Sequence, residues 1–274
     1  MSVTWAVLSV GAATAVAVAA MLFVRGRAPK GGYFADGDRA AGFFGVLATG
    51  FSVLLGLIVF LAFTSYDQAR AGAETEAALV AQQFETAQFM PPAVRRQLGD
   101  ELVCYGRYVV HQAWPRMSDG SFGDSLNPWA VAMFRTLKRT NPETNAEQSA
   151  YDAWVDRTAD REIARRDRVH GAVGVIPDPL WAVLFFITGV IFVFALFFAD
   201  SAERRRSQAI QIGSAIAVIA AMLCLIGFLD HPVRAGWGGL EPVAMQRTLR
   251  ILDEERRIVG QTGPLPCIAT GLPA

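Results

Sequence analysis

Four apolar runs punctuate the chain: Val3 to Val24, Phe43 to Phe63, Leu180 to Ala199 and Ser207 to Leu229. None contains an Asp, Glu, Lys, Arg or His. Each reaches the roughly 20 residues with which a helix crosses a hydrocarbon core about 30 Å thick. The pattern therefore predicts an integral membrane protein with four spans, two near each end. The first run is read as a retained span and not a cleaved leader, because Met1 to Trp5 carries no side-chain cation.

Between the second and third runs the pattern changes to helical alternation. Ala69, Ala73, Ala77, Val80, Phe84 and Ala87 recur at spacings of three and four, predicting a helix that continues out of the second span and stops at Pro91 and Pro92. Val94, Leu98, Leu102, Tyr105 and Val109 predict a second helix ending near Trp114 and Pro115, and Met117 to Asn127 reads as a loop. Pro128 to Arg139 suits a short helix. Asn141 with Pro142 opens a longer one through Tyr151, Val155, Ala159 and Ile163 to about His170, with Asn141 as cap. Gly171, Gly174, Pro177 and Pro179 then break the chain before the third span.

The predicted fold class is an all-α membrane protein: four transmembrane helices with a helical extramembrane bundle inserted between spans two and three. Residues 1–64 carry the first two spans and a short basic loop, 65–178 the bundle, 179–230 the last two spans, and 231–274 an extramembrane tail. Within the spans, Gly11, Ala15 and Ala19, then Ala48, Ser52 and Gly56, then Gly213, Ala217 and Ala221 recur every fourth position, faces on which helices approach closely. They serve either packing within the chain or an oligomer seam or pore lining. The third span instead carries Phe185, Phe186, Phe192, Phe194, Phe197 and Phe198, facing lipid or the bundle core.

Charge sets the orientation. Arg25, Arg27, Lys30 and Arg39 lie between spans one and two, and Arg204, Arg205 and Arg206 between three and four. The excess of cations in short cytoplasmic loops places both loops inside, and the termini and the bundle outside. Arg165, Arg166 and Arg168, and the arginines of the tail, oppose this, but long translocated segments weigh little under that rule. Cys104 and Cys267 then share the oxidising side, where a disulfide or two free thiols are both open, while Cys224 lies in the fourth span.

Composition excludes more than it assigns. The chain is 53% hydrophobic with a mean hydropathy of +0.31 and zero formal net charge, so nothing points to a nucleic-acid partner. Phosphate-cradling, zinc-protease, Cys-x-x-Cys and serine-elbow motifs are absent, and His111, His170 and His231 sit on separate elements. No enzyme, cofactor or metal site is expected. Polar residues instead gather at the span ends: Tyr66, Asp67 and Gln68 after the second, Asp178 before the third, and Asp230, His231 and Arg234 after the fourth. They suit a pore mouth, a binding site or a salt-bridged collar in which Asp230 or Asp67 pairs with Arg234. Glu74 and Glu76 lie a turn or two further along, solvated or packed on the arginine-rich helix.

Several of these stretches are similar to a bacterial family of membrane proteins described as bestrophin-like. They are Thr64-Ser-Tyr-Asp-Gln-Ala-Arg-Ala-Gly-Ala-Glu-Thr-Glu-Ala77, the Tyr105 to Trp114 helix ending in Ala-Trp-Pro-Arg-Met, Pro179-Leu-Trp-Ala, and Leu229-Asp-His-Pro-Val-Arg-Ala-Gly236. The resemblance runs from about residue 40 to 250, and Pro232-Val-Arg-Ala-Gly departs at two positions from the family's usual Pro-Phe-Arg-Gly. Bestrophins proper are pentameric anion channels with four spans and a helical extramembrane part. The resemblance thus implies an oligomeric ion channel or pore in the bacterial inner membrane, with the lipid bilayer, further copies of the chain and ions as partners. The alternative is a membrane-anchored interaction or sensing protein whose external helical domain binds a partner, since fold analogy alone does not establish function.

Overall fold

The computed structural model describes residues 3–119, 126–233 and 238–274, and the chain divides into two compact units. One, the membrane unit, comprises residues 1–65 and 174–231. The other, the extramembrane unit, comprises residues 66–173 and 232–274. Among the described residues every regular element is helical, apart from one isolated bridge between Cys267 and Pro273.

The membrane unit is built from α1 (Val3–Arg25), the first part of α2 (Gly37–Ala87), α7 (Asp178–Leu196) and α8 (Arg205–Leu229). Only 11, 22, 11 and 17% of their most apolar windows are buried within the chain, so most of this apolar surface must be covered by lipid or by further copies. These are the four transmembrane helices of an all-α membrane protein. α1 packs on α8 where Gly213 meets Thr14 and Val18; a Cβ added there would lie 3.3 Å from Val18 Cγ2. One small-residue position is thus spent on packing inside the chain.

The aromatic end of α7 faces inward rather than toward lipid. Phe34 stacks on Phe194 at 5.4 Å and Phe44 does so at 5.7 Å, while Phe185 and Phe186 remain exposed. The two short loops are tied together beside it. Arg25 donates to the carbonyl oxygens of Ser201, at 2.9 Å, and Glu203. Asp200 Oδ1 accepts the backbone N–H of Ala202 at 2.7 Å and of Gly31 at 3.0 Å, donors that hold its carboxyl below the usual range.

The extramembrane unit contains the rest of α2, then α3 (Pro92–Tyr108), a π-helical turn (Val109–Ala113), α4 (Trp114–Ser118), α5 (Pro128–Arg139), α6 (Asn145–His170) and α9 (Val243–Ile258). Val80, Phe84, Leu98, Leu102, Trp114, Met133, Trp154 and Leu252 form its core. α6 starts at a Thr144–Glu147 capping box and not at Asn141: Thr144 Oγ1 accepts Glu147 N at 3.2 Å, and Glu147 Oε2 accepts Thr144 N at 3.1 Å. The reciprocal pair satisfies two orphan donors at once, which a lone Asn cannot do.

Pro115 does not end the second helix either. It falls in the first turn of α4, where a proline needs no N–H, and the wider π turn before it supplies the offset. The tail, to which the sequence reading assigns no element, contains the amphipathic α9, whose Met245, Thr248, Leu252 and Arg256 are buried at spacings of three and four. Thr248 Oγ1 donates to Ala77 O of α2 at 3.1 Å.

Candidate functional site

In the membrane unit, α2 presents two different faces. Phe51, Leu55, Ile58 and Ala62 are buried, whereas Gly42, Gly45, Thr49, Ser52 and Gly56, at spacings of three and four, form an exposed strip of glycine and hydroxyl residues. A Cβ added at Gly42, Gly45 or Gly56 would meet nothing within 4 Å. Ser52 Oγ bonds back to Ala48 O at 2.8 Å, so its lone pairs remain available on the open side. The strip is neither packed within the chain nor as greasy as the flanking Phe43, Val46 and Val53.

At the end of this unit where α8 finishes, Asp230 is 2% exposed. Its Oδ1 accepts Val175 N at 2.7 Å and Ile176 N at 3.0 Å, fixing the chain that enters α7. Oδ2 faces His231 Nδ1 at 3.5 Å, and a Cβ at Gly174 would come within 3.0 Å of Oδ2, so a larger residue there requires the Asp230 and His231 side chains to shift by a few tenths of an ångström. Asp178 is exposed in the first turn of α7, where a carboxylate favours the positive helix end. Arg234 lies outside the described residues.

Tyr66, Asp67 and Gln68 belong to the extramembrane unit. Tyr66 donates to Gly238 O at 3.3 Å, Gln68 Nε2 to Asp167 Oδ1 of α6 at 2.9 Å, and Asp67 is exposed. Glu74 is exposed and paired with Arg70 at 3.1 Å. Glu76 has the opposite fate. It is fully buried, with Arg168 Nε 2.5 Å from Oε2 and Tyr105 Oη donating to Oε1 at 2.6 Å.

Burial lowers the proton affinity of the Arg168 guanidinium, but the Glu76 carboxylate more than restores it and the net shift is upward. Burial first, and then the Glu76 charge, pushes the Tyr105 phenol far above its ordinary range, so it stays a donor at any physiological pH. Two turns back along α6, Arg161 donates to Gln83 Oε1 at 2.6 Å and lies over the Tyr105 ring at 4.7 Å. This network was not assembled from the sequence. The seven-residue spacing of Arg161 and Arg168, bracketing Ala164 on one helix face, is the signal that was there to find.

Cys104 of α3 and Cys267 of the tail form a disulfide, with the S–S distance at 2.01 Å. Cys224 Sγ lies 3.5 Å from Ser9 Oγ between α8 and α1. Among the described residues no group of three His, Cys, Asp or Glu side chains is placed to hold a metal.

The model of the Bestrophin-like domain matches residues 11–234, most of the chain. The protein belongs to the bestrophin-like family. Solved structures agree on the fold of this bestrophin-like chain. A bacterial bestrophin homologue from Klebsiella pneumoniae, in a point-mutated form, superposes with a TM-score of 0.64 at 12% identity, covering 93% of this chain and 100% of its own. A second mutant of that homologue gives 0.64 at 12% identity, with coverages of 94% and 98%. A structure described as a membrane protein gives 0.65 at 12% identity, with 93% and 100% covered. No curated protein matches the sequence. The matched family segment closes at residue 234, so α9 and Cys267 of this bestrophin-like protein lie beyond it.

Proposed function

We propose that the protein assembles as a homo-oligomer into an ion-conducting pore, with the small and hydroxyl-bearing strip of α2 facing the conduction path. The observation that carries this reading is the strip itself, exposed in the single chain, while the opposite face of the same span is buried. Glycines and a charge-free lining leave room for a path whose narrowest part is apolar and gates by dewetting. Charges belong at its ends, and in the membrane unit Asp178, Asp230 and His231 sit where α7 begins and α8 finishes. Asp230 is buried and held by two backbone amides, while Asp178 is the carboxylate exposed to solvent there, where it contributes directly to the local potential.

The inner membrane of a bacterium, with both termini and the extramembrane unit external, is the location this reading assumes. The test is ion flux through purified protein in planar bilayers. Gly56→Phe is expected to abolish or sharply reduce current while leaving folding and subunit number unchanged. Currents equal to wild type in that variant would remove α2 from the path, and no current from well-folded wild type would favour the alternative, an anchored interaction protein.

A further inference from the structure

In the extramembrane unit a cleft of about 590 Å³ opens between α3, the start of α5 and the tail segment Pro264–Pro266. Glu101 lines it and is only 5% exposed. Its Oε1 is satisfied, accepting Gln97 Nε2 and Thr136 Oγ1, both at 3.0 Å. Its Oε2 is buried and has no hydrogen-bond partner in the chain. A buried carboxylate oxygen left in this condition is costly, whether charged or protonated, unless something in the cleft bonds to it.

The rest of the lining narrows what that something is. Asp100, the neighbouring acid, has its Oδ1 engaged by Arg256 at 2.7 Å, whereas Glu101 Oε2 is the buried carboxylate oxygen of this lining that has no partner. Trp129, Pro264, Leu265 and Pro266 supply apolar walls. The indole is held in place by donating to Gly271 O at 2.6 Å, and the tail wall is tied to α3 through Cys104–Cys267. A hydrated or chelated metal ion wants several oxygens, whereas one oxygen beside an indole and prolines suits an organic cation with a short apolar stem. Arg96 also lines the cleft but is exposed, where solvent and salt screen it.

We propose that this cleft binds a primary alkylammonium, its head on Glu101 Oε2 and its stem against Trp129 and the tethered tail. Burial already raises the carboxyl's proton affinity, and an ammonium counter-charge would offset that penalty. The inference stands apart from the pore reading, since it concerns a different unit and needs no current.

The test is calorimetric titration of the full-length, detergent-purified protein under non-reducing conditions with n-butylammonium chloride, against sodium butyrate, 1-butanol and potassium chloride. Saturable binding of butylammonium alone is expected. Glu101→Gln should weaken it about tenfold or more, the scale of a lost charged hydrogen bond. Leu265→Trp, which fills the cleft, and reduction of the disulfide should each weaken it too. No saturable binding, equal binding of butanol, or competition by equimolar potassium would overturn the proposal. Should Glu101→Gln fail to fold, unchanged affinity in Leu265→Trp would overturn it instead.

Discussion

The sharpest constraints at the scale of single residues lie where the extramembrane unit buries charge and closes gaps. A Cβ on Gly72 would fall 2.6 Å from Arg168 N and 2.7 Å from Ala164 O, both backbone atoms that cannot swing aside. Gly72→Ala is expected to destabilise the unit by about 1–3 kcal/mol, read as a lower denaturation midpoint, because α2 and α6 must separate. Arg168→Met leaves Glu76 buried without its cation, and about 3–5 kcal/mol should be lost. Glu101 supplies a pH signature. Its carboxyl is raised above 4.5, chiefly by burial, so the folded state binds its proton more tightly than the unfolded chain does. That contribution is fully present below the unfolded value and is lost as pH rises through the folded one. Glu101→Gln should therefore remove this group's share of the decline in stability expected as pH rises above the unfolded value, read from denaturation midpoints across pH; an unchanged slope would contradict it. Residue roles such as these were the least legible in the sequence, because Glu74 and Glu76 look alike there and only packing sends one to solvent and the other to the core.

Elements were easier to read where a single local rule decides them. Charge-free runs longer than 18 residues allow little but a span, and the Pro91–Pro92 pair closes α2 because the second proline takes the first turn of α3. Readings failed where two local signals competed. Asn141 followed by Pro142 imitates a helix start, yet Thr144 has Glu147 three residues on and so completes a box. Thr144→Ala should cost about 0.5–2 kcal/mol, measured as the loss in unfolding free energy, while Asn141→Ala should be near neutral. α9 escaped notice because its buried face includes Thr248 and Arg256, polar residues that blur the apolar stripe until their partners Ala77 and Asp100 are in view.

For the molecule as a whole, membrane insertion was legible and function was not, since four apolar helices and a helical insertion describe any of several activities. Orientation rests on the cations of the two short loops, and a reporter that fluoresces only in the cytoplasm, fused after residue 120, should stay dark. Reduction of Cys104–Cys267 should lower the stability of the extramembrane unit by about 2–4 kcal/mol, the crosslink closing a loop of 163 residues. The central claim is that α2 borders a water-filled path, and current through a single introduced thiol tests it most directly. In a Cys224→Ser background, Ser52→Cys protein in a planar bilayer should carry current that falls when a positively charged, membrane-impermeant thiol reagent is added. Current that persists with Cys at position 52 unmodified, or a folded protein that passes none, would contradict it.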